Sequence, residues 1–171
     1  MKKTMLCALL IITLMLTSCL TASNKVTKSS KGGTVLYVGD IVDGLVKPHD
    51  KAMAARLSEM GFTVTSLDGR PLTGAEASDY DFIYLSESNI SGNIKDKFKN
   101  TDKPVFSAEM WIADEMGFTG EERNVSNGNN EWLYTEVKIA KADHPIAAGF
   151  SEIVKVYSSE GIFGYGRPGG D

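Results

Sequence analysis

Residues 34–69 read TVLYVGDIVDGLVKPHDKAMAARLSEMGFTVTSLDG, and this stretch decides the fold. Residues 35–38 form a short apolar run that ends in Gly-Asp, which is typical of a buried strand. Residues 48–60 begin with Pro and are followed by Gly61, so they predict a helix. The residues predicted to share its apolar face are Met53, Leu57 and Met60. Residues 62–67 predict a second strand, and the whole stretch predicts a strand–helix–strand unit with parallel strands.

The alternation of strand and helix continues beyond this unit. Apolar runs at 81–85 and 104–108 predict two further strands. Short amphipathic segments at 91–99 and 110–116 predict two further helices. The sequence therefore predicts an α/β domain with a mainly parallel sheet whose two faces are both covered.

The segment after residue 118 is less regular. Residues 119–130 are polar and predict a loop. Residues 132–140 and 153–157 have the composition of short edge or hairpin strands. The chain ends GYGRPGGD at 164–171, and this Gly- and Pro-rich segment predicts a loose tail.

The N-terminus has the features of a bacterial export sequence. Two lysines precede an apolar run at 5–16, which is too short for a membrane-spanning helix of about 20 residues but suits a signal peptide. Residues 16–19 read LTSC and resemble the lipobox of bacterial lipoproteins. The resemblance implies cleavage before Cys19 and lipidation of its thiol. The alternative is an ordinary secretory signal that happens to contain a cysteine.

Residues 20–33 are rich in Ser, Thr, Lys and Gly and predict a flexible tether with a reach of roughly 20 Å. The predicted organisation is a lipoprotein signal peptide at 1–18, a lipidated Cys and tether at 19–33, and one α/β domain at 34–171. Leu20 is not the Asp that often marks inner-membrane retention, which favours the outer membrane if the source is Gram-negative. The predicted location is the cell envelope, on the extracytoplasmic side.

Composition excludes several kinds of chemistry. The two cysteines are Cys7, in the predicted signal peptide, and Cys19. The predicted mature domain therefore has no thiol for nucleophilic catalysis, a redox pair or a zinc site. The formal net charge is −4 and no basic run occurs, so nucleic acid is not an expected partner.

Polar residues follow the predicted strands where ligands bind open α/β sheets, beyond the carboxyl ends. The candidate ligand-binding residues are Asp40, Glu87, Ser88 and Glu109, and the candidate catalytic residues are Glu109, His49 and His144. Carboxylates and imidazoles converging on one edge could form an acid/base site or a site for a hard metal ion. We predict no resident metal or cofactor.

Most of these candidates also have a structural interpretation. Asp40 and Asp43 suit a turn, and His49 with Asp50 suits a helix start, where an acid complements the helix dipole. Residues 86–89 can form a strand-to-helix turn, and a His before Pro suits a turn at His144. Glu109 is harder to explain in this way, because it follows an apolar strand and leads directly into Met110-Trp111. Burial there would raise its pKa.

The order of these segments is similar to that of the class I glutamine amidotransferase-like superfamily, in particular its trehalose-utilisation (ThuA-like) branch. The segments that carry the resemblance are VLYVGD, PHDKAMAARLSEMGFTVT, DYDFIYLSES, KPVFSAEMWIADEMGF and DHPIAAGF. The resemblance implies a flavodoxin-like three-layer sandwich. Glu109 stands where amidotransferases carry their nucleophilic Cys, and the late His and Glu of the family triad have no matching segment. The resemblance therefore implies a non-amidotransferase domain, and one that ends earlier than the family domain.

Three functional hypotheses follow. The first is a lipid-anchored binding module for a small polar ligand, such as a carbohydrate, or for an envelope protein partner. Trp111, Tyr37 and Tyr84 could offer aromatic contacts, although each also suits core packing. The second is a sugar-directed hydrolase or isomerase that uses Glu109 with His49 or His144. The third is an interaction domain within a larger complex.

Overall fold

The computed structural model describes residues 32–168. The predicted signal peptide, the predicted lipidation at Cys19 and most of the tether lie outside the described residues, as do residues 169–171. No helix within 32–168 has the length and apolar character needed to cross a membrane.

A parallel four-stranded sheet forms the centre of the domain. Its strands are β1 (Thr34–Gly39), β2 (Thr63–Asp68), β3 (Phe82–Leu85) and β4 (Val105–Ser107). They lie in the order β2-β1-β3-β4, and every neighbouring pair is parallel. The predicted α/β fold with a mainly parallel sheet is therefore confirmed. The connections leave β1 and β3 in opposite directions, so the carboxyl ends of these two strands form the switch point of the sheet.

Two of the three predicted helices, those at 91–99 and 110–116, are shorter than the sequence predicts. Helix α1 (Pro48–Glu59) matches its prediction, but α2 (Ser91–Ile94) ends at Lys95, which has a positive φ of 49°. Ser, Gly and Asn are weak helix formers, which explains the early end of α2. Residues 110–116 contain only the 3₁₀ turn Met110–Ile112. Two further 3₁₀ turns are Ala75–Asp79 and Pro145–Ala147.

Apolar side chains cover both faces of the sheet. One face packs against Ile94, Phe98 and Ile112 through the buried strand residues Leu36, Val38, Ile83 and Leu85. The other carries Tyr37 and Tyr84, whose rings stack 5.0 Å apart, under Leu57 of α1. The predicted apolar face of α1 is wrong in part, because Leu57 is buried whereas Met53 and Met60 are exposed. Tyr37 and Tyr84 belong to the core rather than to a contact surface.

The last third of the chain forms two small antiparallel sheets. One pairs β5 (Asn127–Asn129) with β8 (Gly164–Gly166), and the other pairs β6 (Glu136–Lys138) with β7 (Ile153–Lys155). The predicted hairpin strands are present but shorter. The predicted polar loop and loose tail are wrong in part, because residues from each form the β5–β8 pair. Glycine suits this tail, because a Cβ at Gly164 would lie 2.8 Å from Met110 Sδ.

Candidate functional site

A cleft of about 450 Å³ opens where β4 ends. Ser107, Ala108 and Glu109 line one side, together with Met110 of the following 3₁₀ turn. Other lining residues come from the far end of the chain, from β8 and the residues before it. The remaining lining residues are Ala113, Phe118, Thr119, Tyr157, Phe163, Gly164, Tyr165, Gly166 and Pro168. The cleft therefore depends on the β5–β8 pair, which holds the tail beside the 3₁₀ turn Met110–Ile112.

Glu109 is buried in the wall of this cleft, with 7% of its surface exposed. Its Oε1 accepts a hydrogen bond of 2.9 Å from the Trp111 backbone N–H, so it caps the 3₁₀ turn. Among the described residues, none donates a hydrogen bond to Oε2 of Glu109. This oxygen is not fully buried. Burial raises the pKa of Glu109 above its ordinary value, and the negative charges of Glu87 and Glu115 raise it further. This carboxyl group can accept or donate a proton and still has an oxygen for a ligand.

Aromatic rings and bare backbone form the rest of the cleft. The rings of Tyr157 and Phe163 lie 4.8 Å apart, and the Tyr165 hydroxyl donates 2.8 Å to the Asn124 carbonyl oxygen. Gly166 packs closely against Thr119, because a Cβ there would meet the Thr119 side chain at 2.9 Å. These aromatic residues are not among the predicted site residues, because the sequence predicts a hairpin strand at Tyr157 and a loose tail at Tyr165.

Asp40 does not join Glu109 in an acidic cluster. Its carboxylate pairs with Lys47 at 3.0 Å and lies 3.9 Å from Arg70. The acids that raise the pKa of Glu109 are Glu87 and Glu115 instead. The predicted acidic cluster of Asp40, Glu87 and Glu109 is therefore corrected: Asp40 is not part of it. Lys47 and Arg70 neutralise the negative charge of Asp40, which explains why an acid is tolerated at this position.

A second polar cluster lies below the switch point, around Asp50 on the first turn of α1. Asp50 is fully buried, and its Oδ1 accepts hydrogen bonds from the Tyr37 hydroxyl at 2.8 Å and the Ser86 hydroxyl at 2.5 Å. Its Oδ2 has no hydrogen-bond partner among the described residues. Burial favours a raised pKa, but the hydrogen bonds from Ser86 and Tyr37 and the nearby Ser88 hydroxyl outweigh it and leave the pKa of Asp50 lowered. Asp50 is therefore a buried carboxylate that ties α1 to β1 and β3.

The candidate residues Ser88 and Asp43 have structural roles. The buried Ser88 accepts a hydrogen bond of 3.0 Å from the Asp40 backbone N–H through its hydroxyl. Asp43 has a positive φ of 50° in the turn closed by the 2.8 Å hydrogen bond from Leu45 N–H to the Val42 carbonyl. Neither residue lines the cleft.

The two histidines do not line the cleft either. His49 is half exposed, and its Nε2 lies 3.8 Å from Asp50 Oδ1, beyond hydrogen-bond distance. His144 caps the turn Pro145–Ala147, since its Nδ1 accepts a hydrogen bond of 3.2 Å from the Ile146 backbone N–H. His144 is therefore a turn residue, as its position before Pro145 indicates. The proposed pairing of Glu109 with a histidine does not occur in the cleft.

Within residues 32–168, no three His, Cys, Asp or Glu side chains lie close enough to hold a metal ion together. The arrangement at the end of β4 is instead suited to binding an organic molecule, with one carboxyl group, several rings and glycine backbone. No protein-family model, curated protein or solved structure matches this chain.

Proposed function

We propose that this chain is a lipid-anchored lipoprotein of the bacterial cell envelope whose α/β domain binds a small polar ligand. The observation that carries the proposal is the cleft of about 450 Å³ at the carboxyl end of β4, with Glu109 in its wall. Ligands of open α/β sheets bind at this edge, and small-molecule sites are mostly apolar with a few placed polar groups. The LTSC sequence at 16–19 supports the lipid anchor.

The residues that line the cleft suit ligand binding better than amidotransferase catalysis, and better than acid/base catalysis by a pair of titratable side chains. Glu109 cannot replace the thiolate that attacks glutamine, and no described histidine or second carboxylate lines the cleft. A single carboxyl group beside rings can still recognise a ligand through one charged contact. Asp50 is sealed in the core and cannot touch a molecule in the cleft.

A sugar-directed hydrolase or isomerase is the second candidate, and one observation favours it. The pKa of Glu109 is raised by burial and by Glu87 and Glu115, which brings it nearer the range useful for proton transfer. The two proposals differ in what happens to a bound compound. Recovery of the compound unchanged after prolonged incubation supports binding, whereas product that disappears in Glu109→Gln supports catalysis.

The binding proposal can be tested by blocking the cleft. The purified protein is screened for thermal stabilisation by a panel of small sugars, amino acids and amines. We expect at least one class to raise the melting temperature of wild type but not of Ala108→Trp, because Ala108 is exposed and lines the cleft. Ala55→Trp, at an exposed position on α1, is the matched control and should respond like wild type. Stabilisation that survives in Ala108→Trp, or no stabilisation by any compound, would contradict the proposal.

A further inference from the structure

The charge that lines the cleft is negative. Among the described residues that line it, Glu109 alone carries a charged side chain. Glu87 and Glu115 lie near enough to raise the pKa of Glu109, so they add to the negative potential. The guanidinium of Arg123 lies over the Trp111 ring, 5.3 Å from its centroid, and is near enough to Glu115 to favour the charged form of that residue, but it does not line the cleft. A bound cation would therefore compensate a charge that the described cleft residues leave uncompensated.

Of the four hydroxyl groups among the described lining residues, all but that of Tyr157 donate a hydrogen bond within the protein. Ser107 donates 2.8 Å to the backbone carbonyl of Glu109, and Thr119 donates 3.1 Å to the carbonyl of Gly120. The Tyr165 hydroxyl donates to Asn124. A sugar needs many donors and acceptors around its hydroxyl groups, and this wall has few of them free. A ligand whose polar part needs charge and ring faces, but few hydrogen bonds, fits the wall better.

Alkylated ammonium ions have this chemistry. Their charge is spread over methyl groups, they need no hydrogen-bond acceptors, and they bind the faces of aromatic rings. The cleft is lined by the aromatic side chains of Phe118, Tyr157, Phe163 and Tyr165 as well as by Glu109. Met110 adds a polarisable thioether to the same wall.

We propose that the Glu109 cleft binds an alkylated ammonium ion, held by the Glu109 carboxylate and the aromatic side chains that line the same cleft. This inference rests on the proposed function and names the class of its ligand. The ammonium group could belong to a free small molecule or to a phosphocholine head group, and the two differ in charge. Because a phosphate beside Glu109, Glu87 and Glu115 would be repelled, the structure favours the free cation.

Isothermal titration calorimetry tests this inference with choline as the probe. The purified full-length chain is kept in a nonionic detergent. The neutral isostere of choline, 3,3-dimethylbutan-1-ol, has the same shape without the charge. We expect choline to bind at least tenfold more tightly than the isostere, and more tightly than phosphocholine. Equal affinity for choline and the isostere, or tighter binding of phosphocholine, would overturn the inference.

Variants test the two halves of the site separately. Glu109→Gln should weaken choline binding at least tenfold, and Tyr157→Leu should weaken it severalfold while leaving the charge in place. Glu59→Gln, an exposed acid on α1, is the matched control and should bind like wild type. Circular dichroism melts establish that each variant is folded. Unchanged choline affinity in folded Glu109→Gln would overturn the inference.

Failure of this inference is distinguishable from failure of the proposed function. A neutral sugar that binds wild type but not Ala108→Trp, with no binding of choline, would retain the cleft as a ligand site and refute the ammonium ligand. The absence of binding by every compound in both experiments would refute both.

Discussion

The Tyr37 hydroxyl donates a hydrogen bond of 2.8 Å to Oδ1 of Asp50, a carboxylate with no exposed surface. Tyr37 lies in β1 and Asp50 on the first turn of α1, so the bond joins the sheet to the helix at the switch point. The ring of Tyr37 also stacks on Tyr84 of β3. Burying a charge is costly without such partners, and the Ser86 hydroxyl supplies another.

Asp50→Ala should destabilise the domain by about 3 kcal/mol, because it leaves two buried hydroxyl groups without their acceptor. Tyr37→Phe keeps the ring stack and loses one bond to a charged group, so it should cost about 1.5–3 kcal/mol. The double variant should cost less than the sum, because both changes remove the same bond. Urea unfolding measures all three, with Glu59→Ala as the exposed control. A loss of under about 0.5 kcal/mol in Asp50→Ala, the range of ordinary surface substitutions, would refute this role.

Glu109→Gln should change how stability depends on pH. The folded pKa of Glu109 is raised, so its contribution to stability is complete below its ordinary pKa of about 4.3 and is lost as pH rises through the folded value. The Gln variant lacks this titration. We therefore expect it to be as stable as wild type or more stable at pH 8, and to lose that advantage on going to pH 4. Parallel curves from thermal melts, or a variant less stable at every pH, would argue against a strained carboxyl group in the cleft.

Cys19→Ala should abolish lipidation, because the thiol is the predicted site of attachment. Metabolic labelling with a radioactive fatty acid measures this directly. The precursor should then remain uncleaved or be released from the membrane. Cys7→Ala, in the predicted signal peptide, is the matched control and should be labelled like wild type. Equal label in Cys19→Ala and wild type would contradict the lipoprotein prediction.

The protein should not hydrolyse glutamine, because Glu109 occupies the position of the amidotransferase nucleophile in the resemblance. A carboxylate in that position lacks the nucleophilicity of a thiolate toward an amide. Ammonia released from glutamine by the purified protein gives the readout, against a heat-denatured sample. Release above that background would refute the interpretation of Glu109.

The central sheet could be predicted from the sequence because its inner strands are continuous apolar runs. Such runs identify buried strands locally, and parallel order places their carboxyl ends at one edge. This reasoning was sufficient to select Glu109 at the end of β4. It also selected Asp40, since sequence alone does not show that Lys47 and Arg70 neutralise it.

Two features depend on contacts between distant parts of the chain and could not be predicted. Strand β8 is Gly-Tyr-Gly, which has no period-two apolar pattern, and it exists through pairing with β5. The place of Tyr165 in the cleft could not be predicted for that reason. The burial of Asp50 depends on hydroxyl groups 13 and 36 residues away in the chain, whereas locally an Asp at a helix start suits exposure.

The most direct test of the central claim is a map of where a ligand binds. Two-dimensional ¹H–¹⁵N spectra of the protein are recorded while a compound that stabilises it is added. The account predicts saturable shifts at Glu109 and Met110 and across residues 163–166, all of which line the cleft. It also predicts that these shifts are lost in Ala108→Trp and retained in Ala55→Trp. Shifts confined to the α1 end of the sheet around His49, or no saturable shifts, would contradict the claim that the Glu109 cleft is the binding site.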